Sequence, residues 1–447
     1  MTGSSRPRVD PASFPSLGPG QLRPGREADA IDGILPQAVL TARESAHVVD
    51  AITEARAKKL GIVTGGGGTK LHIGAPPRDY DIKLSTTAIG RVVEQNPEDM
   101  TVTCEAGVSL SRLQRNLAKA GQRLALDPAL DERASIGGIV ATGATGGLRY
   151  SYGTPRDLLL GMTAIDGCGR EIRAGGRVVK NVAGYDLVRL LTGSFGTLAV
   201  ITEVTLRTHP IPAAGATLVF EFVSASELDA ARARLFEAAL PLAALDFAVD
   251  ASSATAIWVL VVRVEGTEEE VACQGDRVCA AVGRDPVDAG SEWMSPAHVD
   301  AEDGVTVKLG AQPSRIVGVV REVVTKLKGL GAPLLVGGHL GAGIARFHLA
   351  APGGGRSADP ESSNRQVGHE VDPRVAAAHA SLATRLLAAT EPSDAILTRI
   401  LERAPLSVKL ETSVWGPAPA SLPLMRELKR RFDPDGVLSP GRFVGGL

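Results

Sequence analysis

The spacing of apolar residues in the first half of the chain predicts more strands than helices. A helix is expected after residue 40, where Val48, Ile52 and Ala55 fall on one face, and a second helix is expected from Ser109. Alternating or continuous apolar runs predict strands at 62–64, 80–84, 102–106, 159–165, 169–174 and 195–210. Because the strands do not alternate strictly with helices, we predict an α+β fold and not a doubly wound parallel sheet.

Repeated strand–helix–strand units replace this pattern beyond residue 213. Strands are expected at 217–223, 244–249, 256–264, 305–309, 333–337 and 343–350. Helices are expected from Ser224, over 267–282, over 313–330 and over 421–432. Units of this size favour an antiparallel sheet with helices on one face.

Changes in composition divide the chain into four predicted parts. The N-terminus is rich in Pro, Gly and Ser, and a linker-like segment at 209–216 separates the two strand patterns. The predicted parts are a disordered tail (1–34), a first domain (35–212), a cap or substrate-type domain (213–420) with a disordered insertion near 351–373, and a C-terminal segment (421–447).

Charge and cysteine content exclude several classes of function. The 447 residues carry a net charge of −2, which gives no electrostatic reason to expect nucleic acid or an anionic membrane as partner. The four cysteines form no C-x-x-C pair, so neither a disulfide framework nor an iron–sulfur cluster is expected. The sequence contains no apolar run of membrane-span length and no signal peptide at its N-terminus, which predicts a cytoplasmic protein without a membrane span.

The segment "GIVTGGGGTKLHIG" (61–74) contains four consecutive glycines. A P-loop requires Gly before its Lys and a hydroxyl after it, but Thr69 precedes Lys70 here and Leu71 follows. The dinucleotide fingerprint fails too, because its last glycine would fall on Lys70. Consecutive glycines can still place several backbone N–H groups around an anion. A flexible connector is the alternative interpretation.

A second glycine-rich segment, "ASIGGIVATGATGGLRYSYGTPRD" (134–157), has little apolar periodicity. Ordinary connections have about 4–6 residues, and loops beyond about 15 are usually functional or disordered. We therefore predict an irregular loop that runs along a ligand, with an ordinary connector as the alternative.

Together these segments resemble the FAD-binding domain of the vanillyl-alcohol oxidase/para-cresol methylhydroxylase (PCMH) family. The matching stretches are "GGGGT" (65–69), "SIGG" (135–138), "GTLAVITEVTL" (196–206) and "FDPDGVLSPGRF" (432–443), the last with Ser439 where Asn is usual. The segment 175–206 is similar to the FAD-binding subunit of glycolate oxidase in particular. The resemblance covers most of 35–212 and about the last 25 residues.

The resemblance implies a two-subdomain PCMH-type FAD-binding domain, a ferredoxin-like α+β cap and a C-terminal segment that returns to the FAD domain. It also implies non-covalent FAD, because Thr69 stands where covalently flavinylated relatives carry His. The residues at the family's cofactor positions are Gly65, Gly66, Gly67, Gly68, Thr69, Ser135, Ile136, Gly137, Gly138, Ala141, Thr142, Gly146 and Ile201.

The catalytic residues are less well indicated. Relatives that oxidise D-2-hydroxy acids carry H-x-G-D-G-N-x-H and a later E-H-G, whereas this chain has "HLGAGIARFHL" (339–349) and no E-H-G. His339 fits the first position and is the candidate catalytic residue, with a purely structural histidine as the favoured alternative. No metal site is expected. Lys308 and Arg346 are candidates to attract a carboxylate, unless they are simply solvated.

The resemblance implies an FAD-binding subunit of a glycolate or 2-hydroxy-acid dehydrogenase complex. Its expected partners are a catalytic flavin subunit, an iron–sulfur subunit and a small hydroxy acid, and any membrane association would come through the complex. Two alternatives stay open. One is a non-catalytic assembly partner, and the other is a stand-alone flavin oxidase of another hydroxy acid or alcohol.

Overall fold

The computed structural model describes residues 8–10, 14, 16–176, 185–251, 256–290, 304–329, 332–350 and 373–447. The disordered insertion predicted near 351–373 lies outside the described residues, except that residue 373 begins a helix.

A four-stranded sheet with one crossover helix forms the first layer. Its elements are β1 (Leu22–Pro24), β2 (Ala38–Thr41), α1 (Ser45–Lys58), β3 (Ile62–Gly65) and β4 (Ile82–Ser85). The strand order is β1-β2-β4-β3, with β2 and β3 both parallel to β4 and β1 antiparallel to β2. The glycines at 65–68 therefore begin at the last residue of a parallel strand.

The prediction of a disordered tail is wrong for residues 21–34. The segment pairs with β2 through β1, and Asp29 is buried behind it. The Asp29 carboxylate accepts hydrogen bonds from Arg23 Nη1 at 2.6 Å and from Lys83 Nζ at 3.0 Å. These two cations hold the pKa of Asp29 well below its usual range against the opposing effect of burial. The paired carboxylate fixes a segment whose composition alone indicated mobility.

A five-stranded antiparallel sheet follows, with short helices packed against it. Its strands, with one small separate pair, are β5 (Val92–Asn96), β6 (Thr101–Glu105), β7 (Gln122–Arg123), β8 (Leu159–Asp166), β9 (Glu171–Gly175), β10 (Ala199–Arg207) and β11 (His209–Pro210). The helices are α2 (Leu110–Ala118), α3 (Ile136–Thr142), α4 (Arg149–Tyr152), α5 (Pro155–Leu158) and α6 (Leu187–Leu191). The order is β5-β6-β10-β8-β9, and β7 pairs with β11 in a separate two-stranded sheet.

An eight-stranded antiparallel sheet forms the second half of the molecule. Its strands are β12 (Ala214–Phe222), β13 (Ala244–Asp250), β14 (Ile257–Gly266), β15 (Asp288–Gly290), β16 (Val305–Ala311), β17 (Leu334–His339), β18 (Ile344–Leu349) and β19 (Ile396–Arg403). The helices are α7 (Ala225–Glu237), α8 (Glu268–Val282), α9 (Ile316–Lys326), α10 (Pro373–Ala389), α11 (Leu406–Glu411) and α12 (Leu422–Phe432).

The strand order β15-β12-β14-β13-β17-β18-β16-β19 contains two ferredoxin-like units. In each unit the chain runs strand–helix–strand–strand–helix–strand. When the four strands of a unit are numbered along the chain, they lie in the sheet in the order 4-1-3-2. The second strands of the two units, β13 and β17, pair and join the halves into one sheet. The predicted ferredoxin-like cap is thus present, in two copies and not one.

The C-terminal segment extends the first sheet. The backbone N–H of Ile62 donates to Val437 O at 2.8 Å, and that of Ser439 donates to Ile62 O at 2.7 Å. The Lys429 ammonium donates to Thr197 O at 2.7 Å, which ties the same segment to the chain just before β10. Residues 437–442 therefore lie beside the glycines that follow β3.

Candidate functional site

A cleft of about 760 Å³, partly open to solvent, lies where the glycines after β3, the helix α3, the strand β10 and the C-terminal segment meet. All but two of the predicted cofactor residues line it, namely Gly65, Gly66, Gly67, Gly68, Thr69, Ser135, Gly137, Gly138, Ala141, Thr142 and Ile201. Residues about 70 positions apart in the chain thus form one surface.

Two predicted residues lie outside the cleft. Ile136 is 1 % exposed and belongs to the apolar core beneath the five-stranded sheet. A Cβ added at Gly146 would come within 2.0 Å of Asp127 O, so this glycine allows a close backbone contact elsewhere. The structure therefore does not place either residue on the cleft surface.

The predicted irregular loop at 134–157 is wrong, because this segment forms α3, α4 and α5. Ser135 is the N-cap of α3 and accepts a hydrogen bond from Gly138 N at 3.3 Å. Gly137 lets the helix pack closely, since a Cβ there would lie 2.6 Å from the Ala106 Cβ. Small residues serve here for close packing of a short helix.

The same serine joins the two glycine-rich segments. Its Oγ also accepts a hydrogen bond from Gly67 N at 3.3 Å. A Cβ at Gly66 would lie 1.9 Å from that Oγ, and a Cβ at Gly67 would lie 1.5 Å from Arg133 O. Gly66 and Gly67 are therefore required by the contact between the two segments, whatever else approaches them.

Sequence reasoning missed several residues that line the cleft, including Thr64, Thr86, Phe195 and Arg442. Thr64 Oγ1 is buried and has no hydrogen-bond partner among the described residues, so a polar ligand atom in the cleft could satisfy it. Phe195 has φ of +54°, a left-handed conformation that is costly for a bulky residue. Arg442 lies within the quoted "FDPDGVLSPGRF" stretch, which is the signal that could have identified it.

A second cavity of about 850 Å³ adjoins the cleft and shares Lys70, Thr142 and Phe195 with it. Its far side is one face of the eight-stranded sheet. The sheet residues that line it are Lys308, His339, Ile344, Arg346, Ile400 and Glu402. The two spaces meet at the three shared residues.

His339 lies in this cavity, paired with Asp246. The two are cross-strand neighbours on β17 and β13, where the ferredoxin-like units join. His339 Nδ1 donates to Asp246 Oδ1 at 2.9 Å, because a carboxylate can only accept. Within the described part of the chain, His339 Nε2 is buried and has no partner. In the neutral imidazole, this geometry leaves Nε2 as the hydrogen-bond acceptor at the cavity.

Two cations and one carboxylate share the same face of the sheet. Lys308 and Arg346 are directly opposite on β16 and β18, and Arg346 Nε donates to Glu402 Oε2 at 3.0 Å. Burial, together with the charge of Arg346, lowers the pKa of Lys308 to about 8, although Glu402 opposes the shift. Burial would raise the pKa of Glu402, but the charges of Arg346 and Lys308 outweigh it and keep that pKa below its usual value.

The second histidine of the quoted stretch lies apart from this site. His348 Nδ1 is 3.0 Å from Thr306 Oγ1, and both residues are buried. No three His, Cys, Asp or Glu side chains of the described ranges lie together as a metal-ligand set. Similarly, no helix in the described parts is both long and apolar enough to cross a bilayer.

The fold and the cleft define a cofactor-binding protein, and the cleft adjoins a charged second cavity. A family model for the FAD binding domain matches residues 36–175, and one for the C-terminal domain of FAD linked oxidases matches residues 417–443. Residues 36–175 and 417–443 are thus similar to FAD-linked oxidases, and FAD is the cofactor of this chain. These matches confirm the family resemblance seen in the glycine-rich and C-terminal segments. The orphaned Thr64 hydroxyl and the absence of any acidic side chain from the described lining fit an anionic cofactor.

Curated relatives include subunits and enzymes of hydroxy-acid oxidation. The glycolate oxidase subunit GlcE of Escherichia coli (strain K12) is 33 % identical over 228 residues, which are 51 % of this chain and 62 % of that relative. The match therefore spans less than two thirds of that relative's length. An uncharacterised FAD-linked oxidoreductase of Mycobacterium tuberculosis is 28 % identical, and the match covers 91 % of this chain and 89 % of that relative. A D-lactate dehydrogenase of Archaeoglobus fulgidus is 38 % identical. That match covers 38 % of this chain and 39 % of the dehydrogenase.

Solved structures show the same fold. An alkyldihydroxyacetonephosphate synthase superposes with a TM-score of 0.69 over 98 % of this chain and 86 % of its own. At 14 % identity the likeness concerns the fold alone. It agrees with the predicted α+β class and PCMH-type architecture.

Proposed function

We propose that this protein is an FAD-binding subunit of a glycolate or 2-hydroxy-acid dehydrogenase complex and takes part in electron transfer from the hydroxy acid. The similarity to a glycolate oxidase subunit and to a D-lactate dehydrogenase supports this class of substrate. FAD is bound non-covalently in this proposal, because Thr69 replaces the histidine to which some relatives attach their flavin.

The observation that carries the proposal is the charged cavity joined to the flavin cleft. A 2-hydroxy acid needs a cation for its carboxylate and a base for its hydroxyl proton. Lys308 and Arg346 are cations on one wall, and His339 Nε2 is an unpaired acceptor in the same cavity. The cavity thus contains both kinds of group beside the shared residues.

The side chains suggest a division of work during oxidation. Lys308 and Arg346 hold the substrate carboxylate, and His339 Nε2 accepts the proton of the C2 hydroxyl. Asp246 keeps the His339 proton on Nδ1 and stabilises the imidazolium that forms. When bound, FAD supplies the acceptor for the hydride, and hence the two electrons, that leave C2.

The proposed partners are a catalytic flavin subunit and an iron–sulfur subunit. This chain has four cysteines without C-x-x-C spacing, so clusters in such an assembly would belong to another subunit. We place the complex in the cytoplasm, with any membrane attachment supplied by the assembly.

Anaerobic reduction of the bound flavin tests the proposal. The purified chain, with its flavin content measured, is mixed with glycolate or D-lactate, alone and with the candidate partner subunits. Bleaching of flavin absorbance that is fast only in the assembly supports the subunit role. No bleaching of this chain's flavin in either case would leave the non-catalytic assembly role and exclude the proposed one.

A second candidate, a stand-alone flavin oxidase, is favoured by one observation. This chain contains a complete cavity with its own His339–Asp246 pair, and need not borrow those groups from another subunit. Full bleaching by a hydroxy acid with the isolated chain, unchanged by added partners, would select this candidate.

A further inference from the structure

Arg442 comes from the C-terminal segment and lies on the surface of the flavin cleft. It is 5 % exposed. Its Nη2 donates to Leu71 O and Ile73 O, each at 2.6 Å, and its Nη1 donates to Ala75 O at 3.5 Å. The guanidinium thus holds the backbone that directly follows the glycine segment.

The positive charge of Arg442 has no carboxylate partner among the residues that the structure describes. In the described part of the chain its guanidinium bonds only to neutral main-chain oxygens, and no acidic group lies within ion-pair distance. Burial lowers its pKa, while the more distant Asp32 opposes the shift. A buried charge of this kind is costly unless a counter-charge is bound nearby.

Lys409 provides an internal comparison. Its ammonium also holds the same stretch, donating to His72 O at 2.6 Å, but it is paired with Asp32 Oδ1 at 2.6 Å. Lys409 does not line the cleft. Both buried cations hold residues 71–75. Among the described residues, only Lys409 has a carboxylate partner, whereas Arg442, which lines the cleft, has none.

The charges along the cleft match those of a diphosphate. Among the described residues that line it, only Lys70 and Arg442 carry a charge, and both are positive. The diphosphate of FAD carries two negative charges. A cleft of low polarity with two cations and no acid suits such a group.

We infer that Arg442 supplies a positive charge that offsets the diphosphate of FAD, and that the C-terminal segment thereby contributes a cofactor-positioning residue. The inference concerns cofactor binding and does not depend on the substrate or on partner subunits. Its failure and the failure of the proposed function are therefore distinguishable.

The test measures binding of FAD and ADP-ribose to the flavin-free full-length chain by calorimetry. ADP-ribose carries the adenosine and the diphosphate without the isoalloxazine ring. We expect R442Q to weaken both ligands by on the order of ten- to a hundred-fold, because a charge-assisted contact is lost. We expect R442K, which keeps the charge, to remain within about five-fold of the wild type. The R442Q affinity should also depend less on salt concentration.

R78Q is the matched control. Arg78 also contacts the C-terminal segment, donating to Gly446 O at 2.7 Å, but it does not line the cleft. The affinity of R78Q for ADP-ribose should remain within two-fold of that of the wild type.

Two results would overturn the inference. One is a folded R442Q that binds ADP-ribose as the wild type does. The other is a folded R442K that binds ADP-ribose no better than R442Q, which would assign Arg442 to holding the carbonyls and not to supplying charge. If R442Q does not fold, R442K is compared with the wild type, and a folded R442K that has lost ADP-ribose binding contradicts the charge role.

Discussion

His339 and Asp246 meet where the two ferredoxin-like units pair, and Nε2 of His339 is left for the cavity. What distinguishes this nitrogen is that His339 lines a cavity large enough for a ligand, together with Lys308 and Arg346. That placement favours a chemical role over the purely structural one that the sequence suggested.

H339Q should slow flavin reduction by the hydroxy acid by about 10²–10⁴-fold, because the acceptor of the hydroxyl proton is removed. Stopped-flow absorbance under anaerobic conditions measures the rate, with equal flavin content confirmed for each protein. H348Q is the control, since His348 is a buried strand histidine of the same sheet that bonds to Thr306. Equal rates for H339Q and the wild type would remove His339 from the chemistry.

The titration of Lys308 should make kcat/KM for the hydroxy acid decrease at alkaline pH. Its pKa is lowered to about 8, so its positive charge is present below that pH and is lost as the pH rises through it. We expect kcat/KM to fall above about pH 8, because the substrate carboxylate then loses one of its cations. In K308R the charge persists and the decline should move to higher pH. Identical alkaline limbs for the two proteins would contradict this role of Lys308.

At the scale of elements, residues 65–68 and the helix α3 depend on each other. Ser135 Oγ bonds to Gly67 N and Gly138 N, and the backbone of Arg133 approaches Gly67 too closely for any side chain. The shape of the cleft thus rests on contact between two glycine-rich segments.

G67A should weaken FAD binding by at least ten-fold, because its Cβ would lie 1.5 Å from Arg133 O and must push the segments apart. Flavin content after purification and titration with FAD measure the loss. G65A is the control, since a Cβ there would meet only side-chain atoms at ordinary contact distance, those of Leu71 at 3.4 Å and of Lys83 at 3.8 Å. If both variants lose FAD equally, the glycines are needed for ligand approach and not for contact between the segments.

Elements with strong local signals were predictable. The mostly apolar run near 159–165 predicted β8, and Ser224 does cap α7, its side chain accepting a hydrogen bond from Glu227 N. The helix α3 was missed because its glycines and alanines carry little periodicity, and its stability comes from packing on Ala106. The strand β1 was missed because Asp29 stabilises it through residues distant in sequence.

Within the site, the sequence indicated the residues of the cleft better than those of the cavity. Glycines and small residues mark places of close backbone approach, so most of the cleft lining could be named. The partner of His339 could not, because Asp246 lies 93 positions away on another strand. The acid inside the apolar run "ALDFAV" (244–249) was the available signal, since carboxylates are rarely buried without a partner.

Across the whole molecule, the sheet face of each ferredoxin-like unit that is turned away from its helices has a different role. Val262 and Val264 of β14 are fully buried on the helix side, so Arg263 and Glu265 point to the opposite face. There Glu265 accepts hydrogen bonds from Arg123 Nη1 at 3.0 Å and from Tyr152 OH at 2.9 Å. The first unit is thus fastened to the FAD-binding half, whereas the second unit lines the cavity.

E265Q should lower the free energy of unfolding by about 3 kcal/mol, because it leaves the mostly buried Arg123 without its counter-charge. Thermal unfolding followed by circular dichroism measures the change. D435N is the control, since the Arg56–Asp435 pair is 37 % and 48 % exposed and should contribute below about 1 kcal/mol. Equal midpoints for E265Q and D435N would show that this contact does not fasten the two halves.

The hydrogen bond from Arg442 to Leu71 joins residues 371 positions apart. At roughly 5–20 residues per second, a ribosome needs about 20 to 75 s to add that stretch. Throughout that time the nascent polypeptide exposes its glycines without their arginine. Loading of the coenzyme would then wait until residue 442 has emerged, and it would be governed by the supply of free flavin that meets the chain from that point onward.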